Sequence, residues 1–271
     1  MPNEQTAELA LPQAVRDRPG HCRIIIDAVP GGGPWNMAVD EVLLESAWLH
    51  GVCSLRLYGW SAATISLGYF QRVDAATFSA ELRDLSMVRR LSGGGAILHH
   101  NELTYSIALP SSHQLARVGH RLYELVHESI IAVLAERGIA AAVRGGATNV
   151  GRQVAVSGKE PFLCFGRKDS LDVLYQGQKV VGSAQRRRRG AVLQHGSVLL
   201  EASPHAPQFP GLCDLEPGFR GDSTLNIAMA DSIGALLGPS SEPAVLSVEE
   251  IRRGEDLERD RYAKGSWKPG K

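Results

Sequence analysis

Apolar positions first gather at residues 21–29, "HCRIIIDAV", where three consecutive isoleucines predict a buried strand. The period then changes in "GGGPWNMAVDEVLLESAWLHG". Met37, Leu44, Ala47 and Trp48 share one helical face, Pro34 suits a first turn and Gly51 closes the helix. "SLRLYGW" (54–60) and "ATISLGYF" (63–70) alternate apolar with polar residues, the pattern of half-buried strands. Residues 87–110, "MVRRLSGGGAILHHNELTYSIALP", read as strand, glycine turn, strand and a further strand. The longest helical period follows: Leu115, Val118, Leu122, Leu125, Val126, Ile130, Val133 and Leu134 step by threes and fours, and Gly138 stops it. The glycine-rich stretch 143–161 predicts a loop over or beside a site. Residues 171–201 read as three strands joined by turns at Gln176-Gly177 and near Gly190. Asp222 is a suitable N-cap for a helix that ends at Gly238, and a Ser247…Glu250 capping box opens a charged tail.

Strands dominate the middle of the chain, and the helices do not alternate with them regularly. The expected fold class is therefore α+β, a largely antiparallel sheet with helices interspersed, rather than a doubly wound parallel sheet. The organisation predicted is a disordered arm over 1–20, one domain over 21–240, and a charged helical segment over 241–271 packed on that domain.

Composition narrows the function. The formal net charge of the 271 residues is zero, which argues against a general nucleic-acid binder, and no apolar run reaches the length of a membrane span. The first twenty residues, with Glu4, Glu8 and three prolines, lack the form of a signal peptide, so a cytoplasmic protein is expected. Cys22, Cys53, Cys164 and Cys213 show no metal-ligand spacing; reduced thiols and no metal are expected.

Four features could carry chemistry. In "PFLCFGRKDSLDVLYQGQKVVGSAQRR", Cys164 lies at the end of a loop and Lys179 on the strand that follows. Cys164 is either a small core residue or a nucleophile, and a nucleophilic thiol needs a base or fixed cation beside it. The glycines of "RRLSGGGAILHH" precede a strand and no Gly-Lys-Ser/Thr follows, which rules out a phosphate loop. Either a ligand lies against their backbone, or they form a tight hairpin with exposed arginines. His99 and His100 are adjacent and face opposite ways in a strand, so at most one enters a given pocket. Arg186 to Arg189 form either a solvated turn or a basic rim for an acidic protein partner.

Taken together, "GPWNMAVDEVLL", "LRLYGWSAATISLGYFQ", "VRRLSGGGAILHHNELTYS", "CFGRKDSLDVLYQGQKVVGSAQRR" and "LQHGSVLL" resemble, in order, the lipoate–protein ligase, octanoyltransferase and biotin ligase superfamily. The similarity spans most of 21–238 and is nearest to the ligase-like octanoyl-[carrier protein]:protein octanoyltransferases; "RYAKGSW" also looks like the family's ending. The resemblance implies a mixed, largely antiparallel sheet flanked by helices, the catalytic fold shared with biotin and lipoate protein ligases. It implies that Cys164 carries an acyl thioester and that Lys179 favours the thiolate and contacts the acyl carbonyl. It places Arg90, Ser92, Gly93, Gly94, Gly95 and His99 on the acyl-binding turn, with Gly182, Ser183 and Ala184 bordering the same pocket. Two positions depart from the octanoyltransferase pattern: Gly95, often Arg, and His100, usually Asp. The triple glycine is more typical of ATP-dependent ligases, whereas "HHNELTYS" has the transferase spacing and lacks the ligases' Leu-Gly-Asn.

The activity so implied is transfer of octanoyl from octanoyl-acyl carrier protein to a lysine of a lipoyl domain, in lipoate biosynthesis and without a cofactor. The acceptor would be the glycine cleavage H protein or a 2-oxoacid dehydrogenase subunit. The alternatives are an ATP-dependent lipoate ligase, an amidotransferase moving octanoyl between lipoyl domains, and a binding module that has lost turnover; retention of both Cys164 and Lys179 speaks against the last.

Overall fold

The structure, a computed structural model, describes residues 21–72, 80–145 and 162–264. The expected N-terminal arm, most of the glycine-rich loop at 143–161 and the end of "RYAKGSW" lie outside the described residues.

The isoleucine run forms β1 (His21–Ile26), and the first helix, α1 (Gly33–His50), ends at Gly51, whose φ of 71° suits glycine. β2 (Cys53–Tyr58), β6 (Glu102–Leu109), β9 (Gln178–Arg188) and β10 (Ala191–Leu199) form the middle of an eight-stranded sheet. β11 (Ser240–Pro243) and β1 extend it at one side, β8 (Val173–Tyr175) and β7 (Ala142–Val143) at the other, in the order β11-β1-β2-β6-β10-β9-β8-β7. β1 runs parallel to β2 and β11; the other pairs in this sheet are antiparallel. The fold is mixed and largely antiparallel, with helices on both faces.

Val39, Leu43 and Leu44 of α1 pack on Ile25, Ala108 and Leu193. On the other face, α2 (His120–Ala135) and α4 (Ser223–Leu237), which follows the one-turn α3 (Leu212–Leu215), bring Leu122, Val126, Ile130, Leu225 and Met229 against Leu55, Leu57 and Ile107. This double cover corrects the half-buried reading of "SLRLYGW": all six residues of β2 are buried. The alternation is real, but its polar side lies under protein. Arg56 is held by Asp27 and Asn36, and Ser54 accepts from Arg23, whose guanidinium also pairs with Glu250 of α5 (Val248–Leu257). Buried polar groups persist there because each finds a partner.

Two further expectations change. The long helical period at 115–138 is broken: a short 3₁₀ turn over Gln114–Arg117 precedes α2, and Gly119 between them has φ +47°. "RRLSGGGAILHH" is not a hairpin. β3 (Thr64–Leu67) lies between β4 (Ser86–Arg89), parallel to it, and β5 (Ile97–His99), antiparallel to it, so the glycine turn passes from one side of β3 to the other.

Candidate active site

The glycine turn is built around Arg90, whose side chain is only 1% exposed. Its guanidinium donates to the carbonyls of Ser66, Gly93 and Gly95 at 2.8, 2.6 and 2.7 Å and to the hydroxyls of Ser66 and Ser92 at 3.2 Å. Burial pulls it down to about 10, with the neighbouring Cys164 opposing and Arg167 assisting. The exposed arginine of the hairpin reading is thus a buried organiser of the turn. Two histidine relays flank it. His99 joins Ser66 Oγ to Glu102 at 2.7 Å on each side and stacks on Trp60 at 3.9 Å. His195 of β10 joins Ser92 Oγ at 2.5 Å to Asp40 of α1 at 2.8 Å. His100 faces elsewhere and bonds Ser203.

Cys164 opens a short 3₁₀ turn, Cys164–Gly166, and its N–H donates to Ala96 O at 2.6 Å. That bond fixes the half-buried thiol segment beside the glycine turn. Cys22 and Cys53, by contrast, are buried in the core, and burial pushes the half-buried Cys213 thiol up. Lys179, with a side chain 6% exposed, comes from β9; its ammonium lies 2.7 Å from Asp172 Oδ1 and donates to Cys164 O at 3.4 Å. A side chain on Gly182 would press Lys179 Cε at 2.8 Å, so this glycine leaves the path the lysine follows.

These elements line a cavity whose empty space, with the solvent at its mouth included, is about 530 Å³. Cys164, Lys179, Arg90, Gly93 and Gly94 line it, together with His99, Gly182, Ser183 and Ala184. Ser92 and Gly95 do not line it. Ser92 is fully buried on His195, and the space over Gly95 is taken by the Arg167 guanidinium, 2.5 Å from where a Cβ would stand. Asp172, His127, Arg167 and His195 are the residues that sequence reading missed. "LDVLYQGQK" contains Asp172 as the nearest carboxylate preceding Lys179, but nothing local reports that the two meet.

Arg186 to Arg189 are not a solvated turn. The first three lie on β9, and only Arg189, with φ 51°, is in the turn. Arg186 and Arg189 cover the rings of Tyr69 and Trp48, Arg187 donates to Ala116 O and Arg188 pairs with Glu41 at 3.0 Å. Among the described residues no helix is long and apolar enough to cross a membrane, and no cluster of His, Cys, Asp or Glu is placed to hold a metal ion.

Residues 33–208 match the lipoyl protein ligase A/B catalytic domain. The chain belongs to that family. Octanoyltransferase LipM of Kyrpidia tusciae is 33% identical over 264 residues, covering 88% of this chain and 94% of that protein. Octanoyltransferase LipM of Symbiobacterium thermophilum is 31% identical over 273 residues, covering 90% and 96%. Lipoate-protein ligase A bound with ATP shares the fold at a TM-score of 0.67 and 19% identity, covering 90% of this chain and 96% of that one. A bi-partite lipoate protein ligase of Thermoplasma acidophilum, from a study that includes its E2 lipoyl domain, does so at 0.67 and 18%, covering 92% and 96%. The chain is an acyltransferase of the lipoyl ligase family.

Proposed function

We propose that this acyltransferase moves an octanoyl group from octanoyl-acyl carrier protein to a lysine of a lipoyl domain, through a thioester on Cys164. The observation that carries the reading is the meeting of Cys164, Lys179 and the glycine turn in one cavity. The relatives' name, octanoyltransferase, supports the acyl group, and the neighbour studied with its E2 lipoyl domain supports the acceptor class.

The steps balance without nucleotide. The Cys164 thiolate bonds to the thioester carbon, the bond to the carrier's sulfur breaks, and the carrier leaves as a thiolate that takes up a proton. The unprotonated ε-amine of the acceptor lysine then attacks the same carbon. The bond to Cys164 breaks, an amide forms, and the proton shed by the amine balances the returning thiolate. In each step negative charge builds on the carbonyl oxygen. The fixed ammonium of Lys179, anchored by Asp172, is the cation placed to stabilise it. Splitting the transfer suits two protein substrates that need the same cavity, and a site closed to bulk water protects the acyl-enzyme.

The test is transfer from octanoyl carrier protein to a lipoyl domain in nucleotide-free buffer. Octanoylated lipoyl domain should form with wild-type protein and not with Cys164→Ser. Removal of the Lys179 charge in Lys179→Met should lower kcat by about 10² to 10³, the usual loss for an oxyanion partner. Transfer that needs ATP, or that survives Cys164→Ser, contradicts the proposal.

A further inference from the structure

Behind Ser183 runs a chain of buried polar groups that the two steps above do not use. His127, on α2 and 1% exposed, places Nδ1 2.7 Å from Leu171 O and Nε2 2.6 Å from Ser183 Oγ. A carbonyl only accepts, so Nδ1 carries the hydrogen. Burial, the largest influence, and the charge of Lys179 bring the imidazole down to about 4, with the Leu171 bond opposing. The ring is therefore neutral at working pH, and Nε2 is an acceptor.

The polarity of the rest follows. Ser183 donates its hydroxyl hydrogen to His127. Tyr105 OH, 2.5 Å from Ser183 Oγ, must then donate to it, and it accepts in turn from Gln194 Nε2 at 3.3 Å. Gln194 is oriented by Gln185, whose Nε2 donates to its Oε1 at 2.7 Å. Burial pushes the Tyr105 phenol up to about 12, so it keeps its proton. Ser183 lines the cavity with its hydrogen committed inward, and toward the cavity it can only accept.

That asymmetry fits one participant. An attacking amine must aim its lone pair at the thioester carbon and turn its N–H bonds away. A hydroxyl free to rotate would donate to that lone pair and occupy it; one whose hydrogen is held elsewhere accepts an N–H and leaves the lone pair free. The cations of Lys179 and Arg90 in the same wall disfavour an ammonium and favour the neutral amine. We propose that Ser183 receives an N–H of the incoming lysine amine in the second step, and that His127 is the positioning residue that keeps Ser183 an acceptor. This rests on the two-step reading above.

The test measures the half-reactions apart. Wild type, Ser183→Ala, His127→Leu and His127→Gln are each mixed with octanoyl carrier protein, the acyl-enzyme is isolated, and it is discharged by a lipoyl domain or by hydroxylamine. Acylation of Cys164 should be lowered much less than discharge to the lipoyl lysine in each variant. Discharge to the lipoyl lysine should fall by about tenfold or more in Ser183→Ala and His127→Leu, the rate equivalent of one hydrogen bond. His127→Gln, whose amide oxygen can replace Nε2 as acceptor, should recover part of the rate. Hydroxylamine, largely unprotonated at neutral pH and small enough to find its own orientation, should discharge all four alike. Equal losses in both half-reactions, or lysine discharge unchanged by Ser183→Ala, would overturn the assignment. Ser183→Ala removes only a hydroxyl from the cavity wall and decides the matter alone if His127→Leu does not fold. A wild-type protein that never gains the adduct would overturn the two-step reading, and the assignment with it.

Discussion

His127 and Asp172 are residues whose importance comes from where the fold puts them. Asp172 is buried, and burial raises its carboxyl while Lys179, Asp169 N–H and Arg144 pull the other way. The contact itself, at 2.7 Å, anchors the lysine end that lines the cavity. His127 has a consequence for stability. Its folded value of about 4 lies below the ordinary 6.5, so the unfolded chain binds a proton that the folded chain refuses. Stability is full above 6.5 and is lost as pH falls toward 4. Between pH 7 and pH 5 the loss from this group is about 2 kcal/mol. Urea unfolding at the two pH values should show this slope in wild type, and His127→Gln should remove that share of it; an unchanged slope would mean that His127 is not held neutral. Cys164 and Lys179 were legible in the sequence because their motifs resemble a known family. His127 was not: it reads as one polar position within an apolar helical period, and its partner Ser183 lies 56 residues away.

At the scale of elements, the glycine turn and the start of β9 decide whether the site exists. The sequence pattern marked both, and it placed β4, β5 and β6 in order. It did not show that β3 sits between β4 and β5, because pairing order depends on contacts remote in sequence. It also ran one helix through Gly119, since an apolar period continues across a break that only the backbone angle reveals. Two glycines separate the site from the scaffold. A Cβ on Gly182 would press the end of the Lys179 side chain at 2.8 Å and touch Asp172 Oδ1 at 3.9 Å, while one on Gly68 would collide with the Gly94 backbone carbonyl. Gly182→Ala is therefore expected to lose at least about tenfold in kcat, if Lys179 serves as proposed, and to lower the melting temperature less than Gly68→Ala does. Gly68→Ala must shift the turn itself, so its melting temperature should fall as well. Thermal melts with single-turnover rates distinguish the two cases; equal losses of stability in both variants would contradict the distinction.

For the whole molecule, the sheet's double cover explains why so many charged residues are buried and paired. Glu41 of α1 is 1% exposed and accepts from Arg188, Arg261 and Tyr262, which ties β9 and the segment after α5 to α1. The arginine run thus has separable parts. Arg188→Glu would set a half-exposed carboxylate against buried Glu41, which Arg261 and Tyr262 still hold, and is expected to destabilise the fold by about 1 kcal/mol, read from denaturant unfolding. Arg187 and Arg189 are exposed, and the basic-rim reading now rests on them. Arg189→Glu should lower kcat/KM for the carrier mainly through association, and more at low salt. Kinetics unchanged at low ionic strength would leave that turn without a docking role. The net charge of zero gave no hint of this division, because it sums groups that the fold separates into buried pairs and an exposed edge.

The central claim is that the acyl group rests on one sulfur between its two protein partners. The most direct measurement traps that state: wild-type protein is mixed with octanoyl carrier protein alone, quenched in acid, and its intact mass and peptide map are recorded. A gain of one octanoyl group on the peptide containing Cys164, discharged when a lipoyl domain is added, is the expected result. No adduct without nucleotide, or an octanoyl group on any other residue, would contradict it.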